Sequence, residues 1–366
     1  MSETEEPKQE SLPFLLLPAI ILVSVINTIL YKEVFAAFGH RDAFLVNQAV
    51  NFFYILYGAA ILIPRAVFTD AITPEMTAFP KRRFMILGLI DAAATFLSSM
   101  GATFTPGSLQ PLLNQTLVPW TIVFAAIFLS KVYSRQELCG AGLIALGGAV
   151  AAIPPLLSSE SYESCRWYSV LLFAAANVPL AYSCCYVQRI FEAVELDLWY
   201  LAFWVSIFQF LGTFLFVPAL MLPGFGSHDG TPLNQIPTDF QEGLACLAEQ
   251  TESCAHRHLA VLLALYIAVG VFKNFLYLYV TKKVSAVTSV LTAAVNIPCS
   301  TLLFFTPLVG PVQELMSEYD IFTMLALPTV LVGFVLYHRR GALLPENLPL
   351  LGRPQGDVEA VDQAEK

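Results

Sequence analysis

The chain is dominated by apolar runs that are each long enough to cross a lipid bilayer. A hydrocarbon core about 30 Å thick needs about 20 helical residues, and backbone exposed to lipid must be helical to satisfy its own hydrogen bonds. Ten runs qualify, at roughly 14–35, 43–63, 83–104, 108–130, 136–155, 166–190, 197–221, 258–280, 285–306 and 321–338. The sequence therefore predicts an all-α polytopic membrane protein with ten transmembrane helices, numbered here as spans 1 to 10.

Composition and charge argue against a soluble domain and against a nucleic-acid-binding protein. Of the 366 residues, 57% are hydrophobic and 13% charged, and the mean hydropathy is +0.66. A soluble domain carries about 25% charged residues. The net charge of −9 argues against nucleic-acid binding, because nucleic-acid phosphates attract basic surfaces. No cofactor or metal site is predicted.

The distribution of basic residues predicts the orientation of the chain. With ten spans, fourteen of the 19 Lys and Arg residues lie on the side of the termini, four lie on the opposite side, and Lys273 lies inside a span. Cytoplasmic loops carry an excess of basic residues. Both termini are therefore predicted to be cytoplasmic.

An odd number of spans in each half predicts two units of opposite orientation, an arrangement typical of secondary transporters. The predicted parts are an acidic tail at 1–13, a first five-helix repeat at 14–155, a second at 156–338 with a luminal loop at 223–257, and a disordered tail at 339–366.

Small residues at four-residue spacing in span 5 predict close helix packing: Ala141, Ala145 and Ala149.

Two proline-bent helices at matching places in the two halves predict the solute site. Span 4 follows a break at Gly107, is bent at Pro119 and carries polar side chains on adjoining faces: Ser108, Gln110, Asn114 and Gln115. Span 9 is bent at Pro298, 179 positions after Pro119, and carries polar side chains at four-residue spacing: Thr288, Thr292 and Asn296. Such groups need protein or a water-filled cavity at membrane depth, which favours a shared solute site. The alternative is a pair of ordinary kinked helices with small residues at their packing faces.

Two charged residues lie within predicted spans. Asp91 is in span 3 and Lys273 is in span 8, the equivalent helix of the other half. A charge at the bilayer centre costs about 2.5 to 3.5 kcal/mol on insertion scales, so a functional role is the first hypothesis. Three interpretations stay open: both line one cavity and bind a zwitterion, the two form a structural ion pair, or Lys273 extends to the interface. Asp91 is also the candidate proton carrier.

The luminal loop contains its own pattern. Residues 239–250 predict a short amphipathic helix at the interface. Cys246 and Cys254 predict a disulfide in an oxidising lumen, with free thiols as the alternative. His256 and His258 follow Cys254, but without a fourth ligand at suitable spacing they are interpreted as polar loop residues.

Several segments together resemble the chloroquine-resistance transporter family of the drug/metabolite transporter superfamily. They are Leu89 to Ala92, Gly107 to Gln110 with Pro119, Pro179, Val205 to Gln209, Gly243 to Cys246, and Asn274 with Ser285, Thr288 and Pro298. The resemblance covers most of residues 14–338. It implies ten spans in two inverted repeats around a central cavity, and secondary transport across vacuolar or plastid-envelope membranes.

The departures from the family pattern concern charge. Thr28 stands where some members have lysine, Gln188 where some have a carboxylate, and Lys273 close to a position that is acidic in some members. Two cysteines in the long loop, where some members have four, imply one bridge. Fewer cavity carboxylates favour neutral, zwitterionic or anionic solutes over organic cations.

The sequence therefore predicts a non-enzymatic, proton-linked secondary transporter of an amino-acid-like, peptide-like or thiol-peptide solute. A vacuolar or endolysosomal membrane is favoured and a plastid envelope is the alternative. A sugar-phosphate or nucleotide-sugar antiporter of the same superfamily is the nearest other function, although it needs several cavity bases. A receptor or an intramembrane enzyme is a different class, and neither a Gly-x-Ser-x-Gly nor a His-Glu-x-x-His motif is present.

Overall fold

The computed structural model describes residues 16–38, 43–102, 105, 110–157, 167–222, 225, 230–248, 258–287, 289, 290 and 320–338. All regular elements in these ranges are helical. The α-helices are α1 (Leu16–Phe38), α2 (Ala43–Phe68), α3 (Pro74–Ala78), α4 (Lys81–Ala102), α5 (Gln110–Leu113), α6 (Leu117–Phe128), α7 (Arg135–Leu157), α8 (Trp167–Ala175), α9 (Asn177–Ala193), α10 (Leu198–Thr213), α11 (Ile236–Leu247), α12 (Leu259–Lys283) and α13 (Asp320–His338). Two 3-10 segments are Asn114–Thr116 and Phe214–Met221.

Five of the described helical segments are long and apolar enough to cross a membrane. They are Phe44–Phe68, Lys81–Ala102, Trp167–Ala193, Leu198–Met221 and Leu259–Lys283. Shorter apolar helices occupy Ala19–Tyr31, Asn114–Phe128 and Leu325–Tyr337. The structure therefore confirms an all-helical membrane protein, whereas the ten-span count and the inverted repeat stay predictions.

Span 4 is interrupted where its proline predicts. Pro119 has no N–H to offer the carbonyl of Gln115, and the chain tightens into a 3-10 turn over Asn114–Thr116 before α6 begins. Span 6 has a comparable interruption at Ala176, between α8 and α9, and Pro179 lies in the first turn of α9. Each proline marks a place where backbone carbonyls need other donors.

Close helix contacts are made by glycine. A methyl group at Gly140 of α7 would come within 2.7 Å of the carbonyl oxygen of Gly333 in α13. In α4, a methyl group at Gly88 would meet Phe208 of α10 at 2.6 Å, and one at Gly101 would meet Phe173 of α8 at 2.5 Å. Span 5 thus packs closely against span 10, but the contacts are made by Gly140 and Gly147, and Ala149 of the predicted alanine row is exposed.

Basic side chains gather at the N-terminus of α10. Asp197 caps this helix by accepting hydrogen bonds from the backbone N–H groups of Trp199 and Tyr200, and it pairs with Arg65 at 2.6 Å. Lys282 donates to the carbonyl of Leu196 at 2.6 Å. Lys81 donates to the Tyr200 hydroxyl. We call this end of the molecule the basic face.

The loop helix begins three residues earlier than predicted. α11 runs from Ile236 to Leu247 instead of 239–250, because Pro237 suits the first turn of a helix. The helix has two different faces: Asp239 is buried on the side that contacts the protein, and Phe240 is exposed.

The loop also contains a disulfide, because Cys246 is disulfide-bonded. Its predicted partner Cys254 lies outside the described residues, so the pairing stays a prediction.

Candidate functional site

The described helices enclose a set of polar side chains within an otherwise apolar bundle. The set comes from α1, α4, α9, α10 and α12: Ser24, Asn27, Asp91, Thr95, Ser183, Gln209, Lys273 and Tyr277. We call these eight residues the polar interior. It includes both charged residues that the sequence placed within spans.

Lys273 is held by α1 and by its own helix. Its Nζ donates to the Asn27 Oδ1 at 2.9 Å and lies 5.9 Å from the centre of the Tyr277 ring. The hydroxyl of Tyr277 hydrogen-bonds with the hydroxyl of Ser24 at 3.2 Å. The ammonium group therefore has one neutral acceptor and one aromatic face, and it points into the bundle.

Asp91 is placed by α9 and α10. Its carboxyl hydrogen-bonds with the side chain of Ser183. Thr95, one turn further along α4, donates to the Asp91 carbonyl at 2.6 Å and accepts from Gln209 Nε2 at 3.2 Å. The acid therefore also has neutral neighbours, supplied by helices other than those around the base.

Asp91 and Lys273, both among the described residues, do not form an ion pair in this conformation, whereas Arg65 and Asp197 do. Cys184 of α9 nevertheless lies close enough to interact electrostatically with both Asp91 and Tyr277. The acid and the ring beside the base thus both lie near Cys184 of α9. A solute with both charges could lie between them.

The amides of span 4 have several different environments. Gln110 Nε2 donates to the carbonyls of Ala102 and Thr105, at 3.2 and 3.0 Å, and so closes the end of α4. Asn114 is exposed, whereas Gln115 is 2% exposed. Only the Gln110 Oε1 is left for a solute, so a solute-binding role for this residue stays a prediction.

Other predicted residues lie outside the described part of the chain. They are Gly107 and Ser108 of span 4, and Thr288, Thr292, Asn296 and Pro298 of span 9. Their proposed contribution to the site stays a prediction.

Most of the neutral residues around Asp91 and Lys273 were not predicted from the sequence. Ser24 and Asn27 are three apart on α1, so a polar stripe in span 1 was the available signal. A second stripe on α2 contains Asn47 and Asn51, both buried and each with an amide nitrogen that lacks a hydrogen-bond partner among the described residues. Asn27 Nδ2 shares this property. Buried amides of this kind have donors available for water or solute.

A small cavity lies beside the polar interior, between α2, α10 and α12. It is lined by Tyr54, Gly58, Leu198, Trp199, Ala202, Ser206, Val271, Asn274, Phe275 and Leu278. None of the predicted site residues lines it. Asn274 follows Lys273 directly, so the cavity adjoins the site without forming part of it.

The fold and these buried polar groups define a multi-pass helical membrane protein. Residues 14–337 match the family model described as CRT-like, chloroquine-resistance transporter-like, and the chain belongs to this family, whose members are named as membrane transporters. Similar proteins include Crt homolog 1 of Dictyostelium discoideum, 28% identical over 92% of this chain and 76% of the relative. The chloroquine resistance transporter of Toxoplasma gondii is 27% identical over 88% of this chain and 38% of the relative. Protein CLT2, chloroplastic, of Arabidopsis thaliana is 27% identical over 79% of this chain and 67% of the relative.

Proposed function

We propose that this protein is a secondary active transporter of small amino-acid-like, peptide-like or thiol-peptide solutes, and that transport is proton-linked. One observation carries the proposal. An acid and a base, Asp91 and Lys273, each lie within the helical bundle and each have neutral partners that a charged solute can replace. A zwitterion presents both complementary charges.

The carboxylate of the solute would bind Lys273 in place of the Asn27 side chain. The ammonium group is charged in both bonds, but a carboxylate adds the attraction of an opposite charge, which is strong where water is excluded, so the exchange favours the solute. The amino group would bind Asp91, or would be oriented by the amides and hydroxyls of the two bent helices, namely Ser108, Gln110, Asn114, Gln115, Thr288, Thr292 and Asn296. Lys273 within the site argues against an organic cation as the solute.

Proton coupling is assigned to Asp91. Its carboxyl lies at membrane depth beside a hydroxyl donor, Ser183. A carboxylate in such surroundings can gain a proton when the site opens to an acidic compartment and lose it when the site opens to the other side. Alternating access would then move one solute together with that proton.

We further propose that both termini and the basic face are cytoplasmic, so that the 223–257 loop and a Cys246–Cys254 bridge lie in a lumen. An acidic vacuolar or endolysosomal membrane provides the proton gradient. The chloroplastic name of the Arabidopsis thaliana relative supports a plastid envelope as the alternative.

Solute counterflow in proteoliposomes tests the proposal. The purified full-length chain is screened with amino acids, dipeptides, glutathione and phosphorylated sugars at equal pH on both sides. We expect exchange of zwitterionic or thiol-peptide solutes. Exchange of phosphorylated sugars alone would support the antiporter alternative, and the absence of exchange for every solute would contradict a transport function for these compounds.

A further inference from the structure

One face of α9 carries two amides separated by three helical turns. Asn177, Ala181, Cys184 and Gln188 follow the spacing i, i+4, i+7 and i+11, which aligns them along one side of the helix. Asn177 is 2% exposed and Gln188 is 4% exposed. Amides so completely buried need specific partners, and the two find them in the interrupted part of span 4 and at the beginning of span 9, the two helices that the sequence predicts to be bent.

Asn177 binds the interrupted part of span 4. Its Nδ2 donates to the Leu113 carbonyl at 3.1 Å and to the Thr116 hydroxyl at 2.9 Å. The Leu113 carbonyl would normally accept from Leu117 N–H, but that group bonds within the 3-10 turn to Asn114. The Thr116 hydroxyl also donates to this carbonyl, at 2.9 Å, so Asn177 and Thr116 together replace the donor that the interruption has removed.

Gln188 binds the beginning of span 9. Its Oε1 accepts from the backbone N–H of Ala286 at 2.8 Å, while its Nε2 donates to Glu192 at 2.6 Å. The bond from Ser289 N–H to the Ser285 carbonyl, 3.1 Å long, shows that helical hydrogen bonding has begun here. The first N–H groups of a helix have no partner within it, so Gln188 acts as a cap from another helix.

Apolar contacts connect the same three segments. Cys185 belongs to a buried cluster with Val118 and Ile122 of α6 and with Val287 and Val290 of span 9, and Cys184 packs against that cluster. Thus α9 contacts both bent helices through side chains between its two amides. A movement of either segment therefore changes contacts that α9 makes with the other.

Resting on the proposed transport function, we propose that α9 couples the two bent helices, with Asn177 and Gln188 as positioning residues for the solute site. Their chemical requirements differ. Position 177 must donate to a carbonyl, whereas position 188 must accept from an N–H group. A carboxylate can satisfy the second requirement but not the first.

Carboxylate substitutions test this difference. Asn177→Asp replaces a donor with an anion that faces the Leu113 carbonyl oxygen, and we expect its maximal counterflow rate to fall about tenfold or more, since a buried charge against another acceptor is costly. Gln188→Glu combined with Glu192→Gln keeps both the acceptor for Ala286 and the hydrogen bond to position 192. We expect this double variant to stay within about threefold of the unmodified chain.

Gln136→Glu is a matched control. Gln136 Nε2 donates to the Leu336 carbonyl at 3.2 Å, a bond of the same kind between α7 and α13 that does not involve α9. Its counterflow rate should match that of the unmodified chain. An Asn177→Asp variant that transports normally, or a double variant that loses transport, would overturn the assignment.

Hydrogen–deuterium exchange of the full chain in nanodiscs provides a readout independent of transport. If α9 couples the bent helices, Asn177→Ala raises exchange at residues 286–290 as well as at 113–117, and Gln188→Ala raises both. Increases confined to the segment next to each substitution overturn the coupling, even where counterflow is normal. Increases at both segments in a chain that exchanges no solute support the coupling and contradict the transport function instead.

Discussion

Asp91 and Lys273 lie in helices that the sequence predicts to be equivalent, yet their surroundings are built differently. The acid has the Ser183 side chain as its partner and a link to α10 through Thr95 and Gln209. The base has an amide oxygen of α1 and an aromatic ring of its own helix. The two helices therefore contribute opposite charges with separate supports. This difference teaches that two helices predicted to be equivalent can have unlike partners, an arrangement suited to a solute with two unlike ends.

Asp91 and Lys273 both have neutral hydrogen-bond partners, and this affects the free energy of binding a charged solute. A fixed ion pair would keep each charge occupied, and a solute would have to break it. In the present bonds one member is ionised, whereas in a bond to a charged solute both members are, and opposite charges attract strongly where water is excluded. A charged solute can therefore displace either partner favourably.

The largest effect is expected from removing the charge of the acid. Asp91→Asn keeps the size of the side chain and its capacity to accept from Ser183, but it cannot carry a proton as a carboxylate does. Accumulation driven by a pH gradient should fall to the level of empty vesicles, while counterflow at equal pH continues. Vesicle uptake with and without a gradient measures both.

Ser183→Ala is the control for that variant, because it keeps the carboxylate and removes only its hydrogen-bond partner. Its uptake should remain dependent on the gradient. Gradient-driven accumulation that survives in Asp91→Asn would rule out this residue as the proton carrier.

Removing the base should mainly weaken solute binding. Lys273→Ala deletes the proposed partner of the carboxylate, and the loss of about 1.5 to 3 kcal/mol corresponds to a KM raised about 10- to 100-fold. Lys273→Arg should recover part of the affinity. Asn27→Ala, which removes a competitor for the ammonium group, should not raise KM. An unchanged KM in Lys273→Ala would contradict the carboxylate assignment.

A smaller effect is expected at the aromatic support of the base. Tyr277→Phe removes the hydrogen bond to Ser24 but keeps the ring beside Lys273, so KM should stay constant while Tm falls by about 1 to 3 °C. Ser24→Ala should reproduce this result. Tyr277→Leu removes the ring as well, and its KM should rise about two- to fivefold if the cation–π contact supports the binding geometry.

The smallest effect on transport is expected from a lysine outside the spans. Lys131 follows α6, and partial burial lowers the pKa of its amine, although Glu192 and Cys185 raise it in part. The folded protein thus binds this proton less tightly than the unfolded chain, and stability rises with pH between the lowered pKa and the ordinary value of 10.5.

Lys131→Met should therefore flatten the dependence of Tm on pH in that window and leave KM unchanged. Thermal unfolding in detergent at a series of pH values provides the measurement. A large change in KM would mean that Lys273 is not the only lysine that acts on the solute.

The sequence predicted features that depend on local chemistry. Pro119 lacks an N–H group, and the 3-10 turn at Asn114–Thr116 follows from this. Likewise, the apolar runs predicted helices, and an amphipathic pattern predicted α11 to within three residues at either end. Each of these inferences uses residues that are neighbours in the chain.

The sequence could not predict which distant groups meet. Lys273 and Asn27 are 246 positions apart, and Gln188 and Ala286 are 98 apart, so no local pattern connects them. The amide of Gln110 was predicted to face a solute, but its donors serve backbone carbonyls that the break after α4 leaves free. Such bonds depend on how the helices pack, which one sequence does not specify.

The contact between Gly140 and Gly333 has a consequence for inherited variation. It joins a helix of the first half to one of the second with backbone against backbone, and no flexible side chain lies between them to adjust. Any larger residue at either position must push the two helices apart. A genetic screen for loss of transport should therefore recover substitutions at these glycines as readily as those at Asp91, and immunoblots should distinguish them, because the glycine variants would be degraded while the Asp91 variants accumulate to normal levels.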